Sequence, residues 1–165
     1  MNTDIMTYDE AHYLDIGSTL VPDIELLGVG VTQLDENSNP TESSKQYIND
    51  TSKTNKVTGY DDEFPINSDL ISNDDVVVDL YEIFTERKTG SDAQRYHYIV
   101  ELWNLVSGTT YRARRQLNTV VITGKVANPG EQITFSGSLK GAGDFVAGTF
   151  NTTTKVFTAD SDVSL

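Results

Sequence analysis

The 165-residue chain has a formal net charge of -13, with 37% hydrophobic and 9% aromatic residues, a composition typical of one folded domain rather than of a disordered polymer. It has no cysteine, which excludes a disulfide framework, a thiolate metal site and a cysteine nucleophile. The N-terminal residues lack the basic start and apolar stretch of a secretory signal, and no apolar stretch is long enough for a bilayer span. The negative charge disfavours ordinary binding to nucleic acid or anionic lipid.

Short strands are predicted near the start of the chain. Residues 1–11 show little periodicity, and the segment 12–16 (HYLDI) predicts a short strand. The run 24–34 (IELLGVGVTQL) combines β-branched residues with Gly28 and Gly30. This mixture predicts a single strand with a bulge or a close backbone approach, rather than a helix.

A long polar excursion follows these strands. Residues 35–40 (DENSNP) are all of turn or solvent types, so the chain is expected to loop out there. Two short β-like pieces, 44–48 and 56–60, flank a segment with almost no core-forming side chains. The pattern predicts an extended hairpin whose polar tip, residues 49–55, projects from the body or meets another molecule.

One amphipathic helix is predicted after Ile71. Its N-cap is Ser72, Asn73 or Asp74, and acidic residues at its start suit the positive end of the helix dipole. Apolar residues recur at helical spacing, at Val77, Leu80, Ile83 and Phe84. Basic residues followed by Gly90 predict its end. We expect this helix, about three to four turns long, to cover one face of a sheet.

The remaining chain predicts antiparallel strands. The segment 94–106 (QRYHYIVELWNLV) carries apolar or aromatic side chains on both alternating sets toward its end, as in a central strand covered on two faces, and this places Trp103 in the core. Further strands are predicted at 109–126, 133–139, 144–150 and 155–159. The expected fold is mainly β, a single domain over residues 1–165 with a β-sandwich or barrel of antiparallel strands flanked by one α-helix.

No catalytic, cofactor or metal site is predicted. The two histidines, His12 and His97, lie far apart in sequence without Asp or Glu at ligand spacing, so a metal or general-base role is disfavoured and His97 is expected on a sheet face. The acidic segments 61–63 and 74–75 lack the alternating ligands, central glycine and distal glutamate of a calcium loop. The glycine-rich segment 141–148 continues into β-like sequence, so it does not predict a phosphate loop. We therefore expect a protein that is not an enzyme.

Charge is distributed unevenly along the chain. Residues 1–92 hold 20 acidic and 5 basic side chains, whereas residues 93–165 hold 5 acidic and 7 basic ones. The basic cluster consists of Arg112, Arg114 and Arg115, and alternation along a strand places the first two on one face and the third on the other. Ion pairing with the acidic half of a neighbouring subunit and plain surface charge both fit this cluster.

Several segments follow one another in a characteristic order: LLGVGVTQLDENSNP, QYINDTSKTNKVTGYDDEFPINSDLI, DLYEIFTERKTGSDA, YRARRQLNTVVIT, and ITFSGSLKGAGDFVAGTF with KVFTAD. Their order and spacing resemble the major tail protein, or tail tube protein, of long-tailed, siphovirus-like bacteriophages of Gram-positive hosts. Members of that family also show a YI-D segment, a polar tip and a V-x-GY close in the second segment. The resemblance covers residues 27–158.

The resemblance implies a β-sandwich or barrel-like fold flanked by one helix, similar also to the tube protein of type VI secretion systems. Copies of the chain would form six-membered rings, which stack through a projecting loop within residues 35–60 and an N-terminal arm at residues 1–17. No catalytic residue is carried over. The hypothesised inter-subunit contacts are Tyr47, Ile48, Asn49, Asp50, Thr51, Ser52 and Lys53 in the loop, together with Arg112, Arg114 and Arg115.

The resemblance also implies partners and a location. The partners would be other copies of the chain, a tape measure protein, a tail terminator and distal tail proteins, in the virion tail and, during assembly, in the host cytoplasm. Viral DNA would pass through an acidic lumen without sequence-specific binding, because carboxylates repel phosphate at short range. Neither a cofactor nor a membrane partner is implied.

A β-sandwich carbohydrate-binding or adhesin module is the alternative. Aromatic side chains of the kind that stack on sugar rings are present at Tyr96, Tyr98, Trp103 and Tyr111. Burial of Trp103 in the core would weaken this alternative. Glycan binding by the monomer would favour it.

Overall fold

The computed structural model describes residues 3–160 and confirms a mainly β fold flanked by one α-helix. The helix is α1 (Asp75–Thr85), and short 3-10 turns lie at Thr7–Asp9 and Gly90–Ala93. No helix within residues 3–160 has the length and apolar character that a membrane span requires. The strands, in chain order, are β1 (Glu10–Asp15), β2 (Ile24–Leu26), β3 (Val31–Leu34), β4 (Thr41–Lys45), β5 (Thr54–Gly59), β6 (Glu63–Asp69), β7 (Gln94–Ser107), β8 (Thr110–Val126), β9 (Thr134–Gly141), β10 (Val146–Asn151) and β11 (Val156–Ala159).

Nine of the strands form one curled antiparallel sheet. Its order is β2-β1-β7-β8-β9-β6-β3, with β10 paired to β8 and β11 paired to β10. Strands β2 and β3 lie at opposite ends of this order, yet only residues 27–30 separate them along the chain. Because so short a link spans less than about 20 Å, the two ends of the sheet approach each other and the sheet rolls up like a barrel.

The prediction of one strand over residues 24–34 is therefore wrong. The chain turns at Gly30, whose φ of 80° lies in the left-handed region that favours glycine. A Cβ at this position would lie 2.7 Å from Cδ1 of Ile71. The segment supplies an edge strand to each end of the sheet, because β2 pairs with β1 and β3 pairs with β6.

Two apolar cores lie on opposite faces of the sheet. The larger core lies beneath α1, and its buried side chains include Leu14, Phe64, Leu80, Ile99 and Val120. The smaller core contains Tyr13, Tyr98, Val100, Ala113 and Phe150. Adjacent residues of β1 and of β7 enter different cores, so both strands are covered on two faces. This confirms the prediction for the middle of the strand at 94–106.

Strand β8 belongs to both cores. One of its edges pairs with β7, and the other pairs first with β10, over residues 110–115, and then with β9, over residues 118–126. Between these two pairings the Gln116 side chain donates hydrogen bonds to Asp62 Oδ2 at 2.9 Å and to the Gly143 carbonyl at 2.8 Å. The strands β9 and β10 thus pair with successive parts of the same edge of β8, which is 17 residues long, and they separate at Gln116.

The helix begins as predicted and ends earlier. Asp74 is the N-cap, and its side chain accepts a hydrogen bond from the Val77 N–H at 3.0 Å. The last helical residue is Thr85, and Arg87 adopts a φ of 53° just beyond it. The left-handed residue that ends the helix is therefore Arg87 and not the predicted Gly90.

The sequence does not predict β6, although this strand lies inside the sheet between β9 and β3. It buries Phe64, Ile66 and Ser68 on one face, which is the alternation expected of a half-buried strand. Acidic residues precede it and Pro65 lies within it, and both features favour a loop in sequence-based reasoning.

The predicted N-terminal arm at residues 1–17 needs a correction. Residues 10–15 form β1, which pairs with β2 and β7 and buries Tyr13 and Leu14. These residues contribute to both cores of the subunit. Only the residues before Glu10 precede the sheet, so the expected arm is limited to them.

Candidate functional site

A two-stranded hairpin, β4 and β5, projects from the subunit. This confirms the predicted hairpin, although its strands are shifted relative to the predicted ranges 44–48 and 56–60. Within the described part of the chain the two strands pair only with each other, and every residue of β4 and all but Gly59 of β5 are exposed. At the tip, Ile48 is exposed to 101% and Tyr47 to 61%. An uncovered two-stranded hairpin is at best marginally stable in water, so this element favours contact with another surface.

Hydrogen bonds hold the hairpin at both ends. At the tip, the Asp50 N–H donates to the Tyr47 carbonyl at 3.0 Å and closes a tight turn. At the root, the main chains of Asn37 and Glu63 exchange two hydrogen bonds of 2.8 Å. All the predicted loop contacts, residues 47–53, lie in this tip and are exposed. Their contact with another subunit stays a prediction.

The three arginines of β8 have partners within the same chain. Arg112 pairs with Asp160 at 2.9 Å, and this hydrogen bond raises the pKa of Arg112 and lowers the pKa of Asp160 from their ordinary values. Arg114 pairs with Glu36, a residue of the acidic half. Arg115 lies over two aromatic rings, each at 5.0 Å from its guanidinium carbon. Inter-subunit pairing of these arginines stays a prediction.

A groove of about 940 Å³ follows the seam where the two ends of the sheet approach each other. It is lined by the N-terminal residues, by β1, and by β3 with the turn that precedes it. Exposed apolar side chains lie along it at Ile5, Met6, Tyr8 and Leu26. Apolar side chains gathered at one exposed place are typical of contact surfaces.

The prediction that Trp103 belongs to the core is wrong. Its side chain is 50% exposed, and Leu105 and Val106 beside it are exposed to 58% and 50%. Strand β1 pairs with β7 only as far as Glu101, and the pairing of β7 with β8 is irregular between Glu101 and Leu105. The end of β7 therefore extends beyond the strands that cover its middle, and its side chains form a second exposed apolar patch.

The two histidines contact each other, although 85 residues separate them in sequence. His12 Nδ1 lies 3.0 Å from His97 Nε2. The other nitrogen of each ring also has a partner at 3.0 Å: Asn118 Nδ2 lies beside His97 Nδ1, and Glu10 Oε1 lies beside His12 Nε2. Because an ionised carboxylate only accepts hydrogen bonds, His12 Nε2 donates to Glu10. This bond to His12 lowers the pKa of Glu10. Within residues 3–160, no group of three or more His, Asp or Glu side chains is arranged to hold a metal ion.

The histidine pair had no local signal in the sequence, because it depends on the pairing of β1 with β7. His97 is fully buried on the inner face of β7, where the edge of the Phe64 ring packs against it at 4.7 Å between centroids. Burial, together with His12 and Arg114, holds the pKa of His97 well below its ordinary value of 6.5. The folded protein therefore keeps His97 neutral under conditions in which the unfolded chain protonates it.

This difference predicts a loss of stability in mild acid. Because the folded pKa of His97 is depressed, its contribution to stability is present above the unfolded pKa and is lost as the pH falls below it. Between pH 7 and pH 5, the unfolding free energy of wild type is expected to fall further than that of a His97→Gln variant, by at most about 2 kcal/mol, the limit that the unfolded pKa sets. The measurement is urea unfolding of both proteins across this range. Equal slopes of unfolding free energy against pH would contradict the assignment.

No family model matches the chain, and no curated protein matches it in sequence. Solved structures are similar to it in fold. A chain from the virion of a native gene transfer agent particle gives a TM-score of 0.60 at 10% sequence identity, over 94% of this chain and 100% of that one. A chain from the tail of an empty gene transfer agent particle with C6 symmetry gives the same TM-score of 0.60, the same 10% identity and the same coverage.

A chain from the 6-fold symmetrised baseplate of the anti-feeding prophage is also similar, with a TM-score of 0.52 at 8% identity. This likeness covers 89% of the present chain and 97% of the other. At such identities a likeness shows the fold alone. The curled sheet with its single helix is therefore a fold that also occurs in chains of gene transfer agent particles and of an anti-feeding prophage baseplate.

Proposed function

We propose that the chain is a structural subunit of the tail tube of a long-tailed bacteriophage of Gram-positive hosts, whose copies form six-membered rings that stack. The hairpin β4–β5 carries this proposal, because its strands and Ile48 at its tip are exposed in the single subunit. A neighbouring copy would cover the hairpin and satisfy its free strand edges. The similar chains from a tail with C6 symmetry and a 6-fold symmetrised baseplate support six as the number of copies.

The tube would serve as a passage for DNA during genome ejection. A net charge of -13 per chain supports this role, because a wall rich in carboxylates repels phosphate and does not retain the polymer that passes through it. In this role the chain has no catalytic function. Its partners would be a tape measure protein, a tail terminator and distal tail proteins, in the virion and, before that, in the cytoplasm of the host.

Electron microscopy of the purified full-length protein tests this function. We expect tubes of constant diameter in negative-stain micrographs, with six-fold symmetry in end views. Light scattering should report masses well above the 18.2 kDa of one chain. A protein that stays monomeric under all conditions, with its hairpin folded onto its own body, would contradict the proposal.

Carbohydrate binding is the second candidate, and the exposure of Trp103 favours it. An indole ring that is 50% exposed can stack on a sugar ring. The Tyr96 ring is less suited, because the Arg115 guanidinium lies over it. A glycan array probed with the monomer tests this candidate, and binding that disappears in a Trp103→Ala variant would favour it over the tube.

A further inference from the structure

The hairpin lysines have no acidic partner among residues 3–160. Lys45, Lys53 and Lys56 are exposed, and no carboxylate within residues 3–160 lies within 4.0 Å of their ammonium groups. Six other basic side chains of the described residues do have such a partner: Lys88, Arg95, Arg112, Arg114, Lys140 and Lys155. Residues 41–59 hold two acidic and three basic side chains, so the hairpin is the positive segment of an otherwise acidic half.

An acidic groove of about 610 Å³ lies at the root of the same hairpin. Its lining includes Asp61, Asp62 and Asp144, and none of these carboxylates has a basic partner within 4.0 Å among residues 3–160. Arg114 also lines the groove but is already paired with Glu36. The groove therefore has the charge that is complementary to the hairpin.

A buried acceptor in the lining of this groove also lacks a partner. The Gln116 side chain lines the groove and is only 2% exposed. Its Nε2 donates to Asp62 and to the Gly143 carbonyl, which fixes the orientation of the amide. Its Oε1 accepts no hydrogen bond from the described residues. Gln116 Oε1 is itself buried, so the exposed carboxylates of the groove are the groups that favour a ligand with positive donor groups.

We propose that the groove at the hairpin root receives the lysine-bearing hairpin of a second copy of this chain. Lysine ammonium groups of one copy would pair with Asp61 and Asp144 of the next, where both carboxylates are exposed. The groove also contains the exposed Tyr60, against which the aliphatic stem of a lysine can pack. This inference rests on the self-association proposed above and names the surface that accepts the hairpin.

The geometry of the hairpin makes this contact intermolecular. The six residues of β5 extend about 20 Å, so the tip lies far from the groove at its own root. The docking surfaces on the two copies differ, one being a hairpin and the other a groove. Each added copy would therefore bring one free hairpin and one free groove, and such heterologous contacts continue into rings or filaments.

Engineered cysteines test the contact directly, since the natural chain has no cysteine. A chain with Lys53→Cys and Asp144→Cys, mildly oxidised under assembly conditions, should give a ladder of covalent dimers and larger oligomers on a denaturing gel. The matched control carries Lys53→Cys with Val126→Cys, which places the second thiol at the exposed end of β8. A ladder no stronger than that of the control, or a cross-linked monomer, would overturn the proposal.

Charge exchange provides the second test. Lys53→Glu with Lys56→Glu, and separately Asp61→Lys with Asp144→Lys, should each raise the protein concentration needed for assembly by at least about tenfold, because like charges then face each other. A chain carrying all four changes should recover most of this loss. Failure of the four-change chain to recover would overturn the docking contact.

The two proposals fail in different ways in these experiments. Tubes of wild-type protein without a ladder from the 53–144 cysteine pair would overturn the docking surface and leave the tube function standing. A ladder in a protein that forms no tubes would support the contact and contradict the tube.

Discussion

Replacing residues 46–53 by a two-residue Asn-Gly turn is expected to abolish tube formation while changing the melting temperature by less than about 2 °C. The replaced residues are all exposed and lie outside both cores, so the subunit loses no core packing. The strands β4 and β5 stay paired, because Lys45 and Thr54 are register partners that a two-residue turn can join. Negative-stain microscopy and differential scanning calorimetry measure the two outcomes.

A point substitution separates the apolar tip from the length of the hairpin. Ile48→Ser removes the most exposed apolar side chain of the tip, and Val126→Ser is its control, at an exposed position on the end of β8. We expect the first change to weaken assembly and the second to leave it unchanged. If the shortened hairpin still supports tubes of normal diameter, the hairpin is not an assembly element.

Truncating Phe64 is expected to destabilise the subunit by about 3–5 kcal/mol. The side chain is fully buried in β6, and its ring contacts the rings of His97 and Phe145 at 4.7 Å and 6.3 Å between centroids. Phe64→Ala leaves a cavity in the larger core, and the melting temperature should fall by roughly 6–20 °C.

Urea unfolding followed by circular dichroism measures this loss. The control is Tyr60→Ala, four residues earlier in the chain, because Tyr60 is 67% exposed. We expect the control to change the unfolding free energy by no more than about 0.5 kcal/mol. A loss below about 1 kcal/mol for Phe64→Ala would mean that β6 is not the core strand that the structure describes.

Local signals were sufficient for the helix and for the projecting hairpin. The N-cap at Asp74 and the helical spacing of the apolar residues in α1 are signals that lie within one or two turns of the helix. The absence of apolar residues near the tip of the hairpin is also a local property of the sequence. The strand β6 escaped prediction because Pro65 opposes strand formation locally, while its partners β3 and β9 are distant in sequence. Pairing across the sheet outweighs that local preference.

The histidine pair and the exposure of Trp103 also depend on long-range pairing. The register of β1 against β7 brings His12 and His97 together, and nothing near either residue indicates it. The apolar run of β7 predicts burial all along the strand, but the covering strands end before Trp103. The hairpin contacts were predicted through the resemblance and stay a prediction, whereas the acidic groove proposed to accept the hairpin is assembled from three separate segments, 36–38, 59–62 and 141–145, with β8.

The sharing of β8 between two partner strands has a mechanical consequence. If either core unfolded, half of β8 would lose its packing. The backbone hydrogen bonds of β8 that support the other core would then be lost as well. The two cores should then melt together as one cooperative unit, with the slowest amide exchange near the branch point at Gln116. A structural change on one face of such a subunit would be transmitted to the opposite face through the backbone of β8.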